Sequence, residues 1–220
     1  MYARHNRVWL SESGWQQALA AVPEQFLAEV GAWRKAGWPV IARRADADAA
    51  AGQACLGIAL PPRDGIKPRI ALRVDAAGVR QVMPAPGLAD VAAAILPAWR
   101  AGFDRLLAAA QEHGLRFTVF GSVALEAITG RAYVGTTSDI DLLFHPASQA
   151  ELALAVALLD SHAASLPLDG EIVFPGAAAV SWKEWRNATR DAGGQRVLVK
   201  GGAAVHLSAS AALLSTLDLT

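Results

Sequence analysis

Two aspartates inside an apolar strand constrain the fold of the second half of this chain. Asp139 and Asp141 lie two residues apart in the run "DIDLLF" (139–144). Aspartate is depleted from β-strands, and two like charges on one face of a strand repel each other. Because side chains alternate along a strand, both carboxylates face the same side. A divalent cation between them removes the repulsion, so the run predicts a strand that carries a metal site.

The segment before this strand predicts an anion-binding site. "LRFTVF" (115–120) is typical of a strand and "VALEAIT" (123–129) of a short helix, with Gly121 and Ser122 between them. Backbone N–H groups, the Ser122 hydroxyl and the positive end of the helix then meet at one point, where a phosphate can bind. Because Gly121 has no side chain, the phosphate can approach the backbone closely. We expect Mg²⁺ to be shared between the two aspartates and substrate phosphates, since it prefers oxygen ligands.

Composition excludes several classes of partner. Twenty basic residues balance twenty acidic ones, so no overall charge recruits nucleic acid or an anionic membrane. Cys55 is the single cysteine, which excludes an intrachain disulfide and a multi-cysteine zinc site and fits a reducing cytosol. No apolar stretch approaches the ~18 residues of a membrane span, and the first ten residues lack the apolar centre of a signal peptide. We therefore expect a soluble cytoplasmic protein that binds neither nucleic acid nor membrane.

The order of predicted elements indicates an α+β protein of two domains. Residues 1–83 combine a helix capped by Ser11 or Ser13, a second helix over "PEQFLAEVGAWRK" and three strands. Residues 84–90 ("PAPGLAD") contain two prolines and a glycine and are predicted to form a linker. In residues 91–220 strands alternate with helices, which predicts a mixed sheet covered by helices.

Several basic residues allow more than one interpretation. Lys200 ends the predicted strand "RVLVK", where it can contact a phosphate or simply protect a sheet edge. Arg43 and Arg44 allow phosphate binding or plain solvation. Arg69 and Arg73, with Lys67, can form a positive strip that faces an acidic partner, although ordinary surface charge explains them equally well.

The combined motif resembles a known superfamily. "GS" after a strand, followed by "DID" on the next strand, resembles the nucleotidyltransferase superfamily of the polymerase β type. Five segments in order extend the likeness over most of the chain: "GWPVIARR", "LGIALPPRDGIKPRIAL", "GSVALEAITGRAYVGTTSDIDLLF", "DGEIVFPGAAAVSWKEW" and "VLVKGG". Together they resemble the malonate decarboxylase holo-[acyl-carrier-protein] synthases, also called phosphoribosyl-dephospho-CoA transferases.

This resemblance implies a reaction and a fold. Residues 91–220 are then a nucleotidyltransferase-like catalytic domain. The donor is 2'-(5''-triphosphoribosyl)-3'-dephospho-CoA, and the acceptor is a serine of the acyl carrier subunit of malonate decarboxylase. Pyrophosphate leaves, and a phosphodiester joins the prosthetic group to the carrier.

The resemblance also implies roles for individual residues. Asp139 and Asp141 hold Mg²⁺, while Gly121 and Ser122 grip the terminal phosphates. The superfamily usually adds a third carboxylate from a neighbouring strand, and "LDGEIVF" offers two. We prefer Glu171, which lies in the apolar part of that run, although Asp169 faces the same side.

Two other functions stay open at this point. An ATP-dependent adenylyltransferase acting on a small molecule or a protein would have the same catalytic motif, but it would not need the N-terminal domain. A non-catalytic binding module would leave the paired aspartates without a purpose.

Overall fold

The structure is a computed structural model that forms two compact units, divided between Ala85 and Pro86. It describes four stretches of the chain, namely residues 2–63, 65–190, 195–202 and 204–219. Each unit combines helices with one β-sheet. The predicted α+β class is therefore confirmed.

The first unit contains a five-stranded antiparallel sheet and two helices. The strands are β1 (Arg7–Leu10), β2 (Val40–Ala42), β3 (Gln53–Ala59), β4 (Arg69–Asp75) and β5 (Val79–Met83), in the spatial order β4-β3-β2-β1-β5. The helices are α1 (Glu12–Ala20) and α2 (Leu27–Lys35). Ser11 is the N-cap of α1, because its hydroxyl accepts a hydrogen bond from the backbone N–H of Gly14 at 3.2 Å. Buried and more exposed side chains alternate along β4, with Ile70, Leu72 and Val74 buried.

Two arginines of the first unit are paired within it. Arg43 donates to both carboxylate oxygens of Asp46, and Arg73 donates to Asp46 and Asp48. The Arg43 and Arg73 guanidinium groups hold the pKa of Asp46 well below its usual range. These ion pairs favour a structural role for Arg43 over phosphate binding, and for Arg73 over a positive strip that faces an acidic partner.

The second unit contains a six-stranded mixed sheet. The strands are β6 (Phe117–Phe120), β7 (Ile140–Phe144), β8 (Leu168–Phe174), β9 (Ala178–Ser181), β10 (Arg196–Lys200) and β11 (Val205–Ala209), in the order β11-β10-β9-β8-β7-β6. Its helices are α3 (Arg100–Glu112), α4 (Gly121–Thr129), α5 (Gln149–His162), α6 (Trp182–Arg190) and α7 (Ser210–Leu214). Strands β7 and β8 pair in parallel, joined by the crossover helix α5, while the other neighbours pair antiparallel.

The segment predicted as a linker contributes to both units. Ala85 is buried at the end of the first unit, and Leu88 is buried in the second. A 3₁₀-helix follows at Ala89–Ala94, and Val91 within it is fully buried in the core of the second unit.

The two faces of the second sheet differ in polarity. One face packs into a hydrophobic core with residues of the helices, and Ile140, Leu142 and Ile172 lie there with at most 1% exposure. The residues next to them in each strand point to the opposite face of the sheet. We call that side the carboxylate face and define it by Asp141, Asp169, Glu171, Ser181 and Lys200, which the strand register places on one side of the sheet.

Candidate active site

The site is built where β6 runs directly into α4. Phe120, the last residue of β6, is paired with Asp141 of β7, so the next residue, Gly121, comes close to that carboxylate. A Cβ atom at Gly121 would lie 2.1 Å from Oδ2 of Asp141, and the φ of Gly121 is +68°. Both features disfavour a side chain here, because it would strain the backbone and displace the Asp141 carboxylate. The positive end of α4, with Ser122 in its first turn, therefore lies beside the carboxylate of Asp141.

The two aspartates of the motif lie at the start of β7. Asp139 is exposed and immediately precedes the strand, while Asp141 is partly buried within it. Ile140 between them is fully buried in the core, so both aspartates face away from the core. The structure thus places Gly121, Asp139 and Asp141 at one end of the carboxylate face, in keeping with their proposed common function.

A glutamate of α4 fixes the loop that leads to Asp139. Oε2 of Glu126 accepts hydrogen bonds from the backbone N–H groups of Tyr133 and Val134, both at 2.8 Å. Burial raises the pKa of Tyr133 to about 12, so its phenol stays neutral at physiological pH. Further along, the Ser138 hydroxyl accepts a hydrogen bond from Gly135 N at 3.0 Å. No sequence pattern indicates this role of Glu126, because its partners lie seven and eight residues away in an irregular loop.

The neighbouring strand β8 supplies both candidates for a third carboxylate. Asp169 is in register with Asp141, whereas Glu171 is in register with Leu143. Gly170 separates them with a φ of +133°, and a Cβ atom there would lie 1.9 Å from the carbonyl oxygen of Leu142. A side chain at position 170 would therefore push β8 away from β7.

The two carboxylates of β8 have different surroundings. Glu171 is 6% exposed, and Oε1 of its carboxylate accepts a hydrogen bond from Nζ of Lys200 at 2.8 Å. Asp169 is 44% exposed at its side chain, and its Oδ1 lies 3.7 Å from Nζ of Lys183. No sequence pattern indicates the contact of Lys183 with Asp169, since only the tertiary structure brings Lys183 to β8.

The donor set fits a magnesium ion that is shared with a substrate. In the described stretches of the chain, no group of three or more histidine, cysteine, aspartate and glutamate side chains is placed to hold a metal ion. Mg²⁺ is usually bound through one or two carboxylates together with substrate phosphates and water. The pair Asp139 and Asp141, beside the positive helix end at Gly121, satisfies that requirement.

Comparison with known proteins defines the family. Residues 87–211 match the family model described as the phosphoribosyl-dephospho-CoA transferase MdcG C-terminal domain, and residues 3–85 match the corresponding N-terminal domain. The two models together span both units of the structure. The chain belongs to the phosphoribosyl-dephospho-CoA transferase family, as its sequence motifs predict, and is therefore a transferase.

Curated relatives carry the same name. A phosphoribosyl-dephospho-CoA transferase of Xanthomonas campestris pv. campestris (strain 8004) is 37% identical over 202 residues, which cover 91% of each chain. Proteins of that name from Bradyrhizobium diazoefficiens and Pseudomonas aeruginosa are 37% and 36% identical, covering 82% and 85% of this chain and 80% and 85% of their own. No solved structure matches this chain. The described part of the chain contains no helix long and apolar enough to cross a membrane.

Gly121→Ala tests the contact between α4 and Asp141. We expect transferase activity to fall by at least about 100-fold, because the new methyl group displaces the Asp141 carboxylate and a loss of about 2.7 kcal/mol in the barrier has that effect. Gly130→Ala is the matched control, since Gly130 has a φ of +66° but nothing within 4 Å of its Cβ position. Activity of Gly121→Ala equal to that of Gly130→Ala would show that the contact is unimportant.

Proposed function

We propose that this enzyme transfers the phosphoribosyl-dephospho-CoA group from 2'-(5''-triphosphoribosyl)-3'-dephospho-CoA to a serine of the acyl carrier subunit of malonate decarboxylase in the cytoplasm. The serine oxygen forms a bond to the α-phosphorus, and the bond from that phosphorus to the leaving oxygen of pyrophosphate breaks. The serine proton passes to a basic group of the site or to water. The observation that carries this proposal is the contact between Gly121, at the positive end of α4, and Asp141.

The role that we propose for each residue of the site follows from its charge and its hydrogen-bonding groups. Gly121 and Ser122 bind the terminal phosphates through the backbone N–H groups and hydroxyl at the start of α4. Asp139 and Asp141 hold Mg²⁺, which when bound neutralises charge on the attacked and departing phosphates. Binding of the phosphates at the start of α4 holds the α-phosphorus in line with the incoming serine, which lowers the entropic cost of the reaction.

For the third carboxylate the geometry supports Asp169. Its Cα is paired with that of Asp141, so the two side chains are neighbours on the carboxylate face. Glu171 lies two residues further along β8, about 6.6 Å from that position along the strand. It is also buried, and its carboxylate accepts a hydrogen bond from Lys200. We propose that Asp169 takes the serine proton, with Glu171 as the alternative.

The ion pair between Lys200 and Glu171 also affects which role Lys200 can have. A phosphate-binding role requires the ammonium group to give up its 2.8 Å hydrogen bond to the buried carboxylate of Glu171, which costs free energy. In a structural role Lys200 keeps its hydrogen bond to Glu171. It then stabilises the part of the sheet formed by β8, β9 and β10. Phosphate binding by Lys200 stays a prediction.

Asp169→Asn and Glu171→Gln distinguish the two carboxylates. We expect Asp169→Asn to lower kcat by at least about 100-fold with an unchanged Tm, because it removes a charge from an exposed position in the site. Glu171→Gln leaves Lys200 without its buried partner, so we expect a lower Tm and a smaller loss of kcat. The opposite order of the two kcat values, measured at a temperature where both variants are folded, assigns the role to Glu171.

Mass spectrometry of the carrier tests the proposed reaction. The protein is incubated with Mg²⁺, the apo carrier subunit of malonate decarboxylase and either the triphosphoribosyl-dephospho-CoA donor or ATP. We expect the carrier to gain the phosphoribosyl-dephospho-CoA mass with release of pyrophosphate, and a serine-to-alanine change at the acceptor to prevent it. Gain of an AMP mass from ATP instead would identify an adenylyltransferase.

A further inference from the structure

Two lysines compensate the two carboxylates of β8 on the carboxylate face. Lys200 of β10 pairs with Glu171, and Lys183 of α6 pairs with Asp169. Lys200 lies on β10, and Lys183 lies at the start of α6, which directly follows β9. In the sheet order, β9 and β10 lie on one side of β8 and β7 lies on the other. Beyond Asp169, on β7, lies the carboxylate of Asp141.

The two ion pairs differ in strength. Nζ of Lys200 is 2.8 Å from Oε1 of a glutamate that is 6% exposed, so this pair is hydrogen-bonded and its loss leaves a buried charge. Nζ of Lys183 is 3.7 Å from Oδ1 of Asp169, beyond hydrogen-bond distance, and the two side chains are 46% and 44% exposed. Exposed pairs of this kind contribute little to stability. Lys183 can therefore leave Asp169 at low cost, whereas Lys200 is held at Glu171.

The backbone of Lys183 is fixed although its side chain is not. Lys183 is the second residue of α6, and its helix neighbours Trp182 and Trp185 are 1% and 3% exposed in the core of the second unit. Both indoles are part of the hydrophobic core of the second unit. The helix therefore presents the Lys183 ammonium group to the carboxylate face from a rigid position, and the first turn of α6 adds its own positive potential.

We propose that Lys183 binds the phosphates of the donor and serves as the counter-ion of Asp169 until the donor arrives. This rests on the proposed function, because it concerns the same site. A triphosphate that approaches Asp139, Asp141 and Asp169 meets three negative side chains, so the site needs positive charge besides the metal. The ammonium group of Lys183 turns to the phosphate oxygens, and the carboxylate of Asp169 becomes available to the serine proton.

The proposal predicts that Lys183→Gln changes the affinities for a cation and for an anion in opposite directions. Without the competing ammonium group, Mn²⁺ alone should bind about three- to tenfold more tightly to the protein. Inorganic tripolyphosphate, used as a probe of donor phosphates, should bind about tenfold more weakly, and the KM for the donor should rise more than kcat falls. Both effects should diminish with added salt, because the groups are exposed.

Isothermal titration with MnCl₂ and with tripolyphosphate measures the two affinities. Arg190→Gln is the matched control, since Arg190 also lies on α6 and forms an exposed ion pair, with Asp160 at 2.5 Å. We expect it to leave both affinities unchanged. Lys183→Arg should restore tripolyphosphate binding, because it restores the positive charge. The Tm of each variant should match that of the wild type, since both pairs are exposed.

Both shifts are required by the proposal. Unchanged tripolyphosphate affinity in Lys183→Gln would overturn the binding role, and unchanged or weaker Mn²⁺ binding would overturn the counter-ion role. A fall in both affinities would indicate a disrupted site and would also overturn it. Failure of the proposed function is recognised separately, because the wild-type protein would then leave the carrier unmodified whatever Lys183→Gln does.

Discussion

The close approach of the Gly121 backbone to the Asp141 carboxylate is the contact on which the site depends. It requires β6 and β7 to pair so that Phe120 lies opposite Asp141, and it requires α4 to begin without an intervening loop. A side chain at position 121 would collide with the carboxylate at 2.1 Å. The positive end of a helix and the acidic start of a strand are thereby held together, and we propose that phosphates and the cation that they share bind there.

The remainder of the second unit positions this contact and balances its charge. The loop before Asp139 is held by Glu126 through two backbone N–H groups. Gly170 lets β8 approach β7 closely, which places Asp169 beside Asp141. The charge of β8 is compensated in two ways, by a hydrogen-bonded lysine at the buried Glu171 and by a loosely paired one at the exposed Asp169. The first pair is suited to stability and the second to exchange with a ligand.

Local patterns predicted most of this arrangement. The run "DIDLLF" and the Gly-Ser pair predict a strand and the start of a helix from spacing alone, because both are local properties of the chain. The choice between Asp169 and Glu171 could not be predicted, because both face the same side and only the register between β7 and β8 decides which one adjoins Asp141. Strand β9 ("AAVS") was not predicted, since two alanines give a four-residue segment little β propensity. Lys183 reaches Asp169 only through the tertiary placement of α6.

Asp141→Asn in the carrier assay tests the central claim most directly. The substitution nearly conserves volume but removes the negative charge beside Gly121, so the account predicts that the carrier mass stays unchanged over times at which the wild type modifies it fully. A rate at least about 1,000-fold lower corresponds to about 4 kcal/mol of lost transition-state stabilisation. Asp104→Asn, on the exposed side of α3 with Arg100 at 4.0 Å, is the control and should retain full activity. Transfer by folded Asp141→Asn at a rate near that of the wild type would contradict the account.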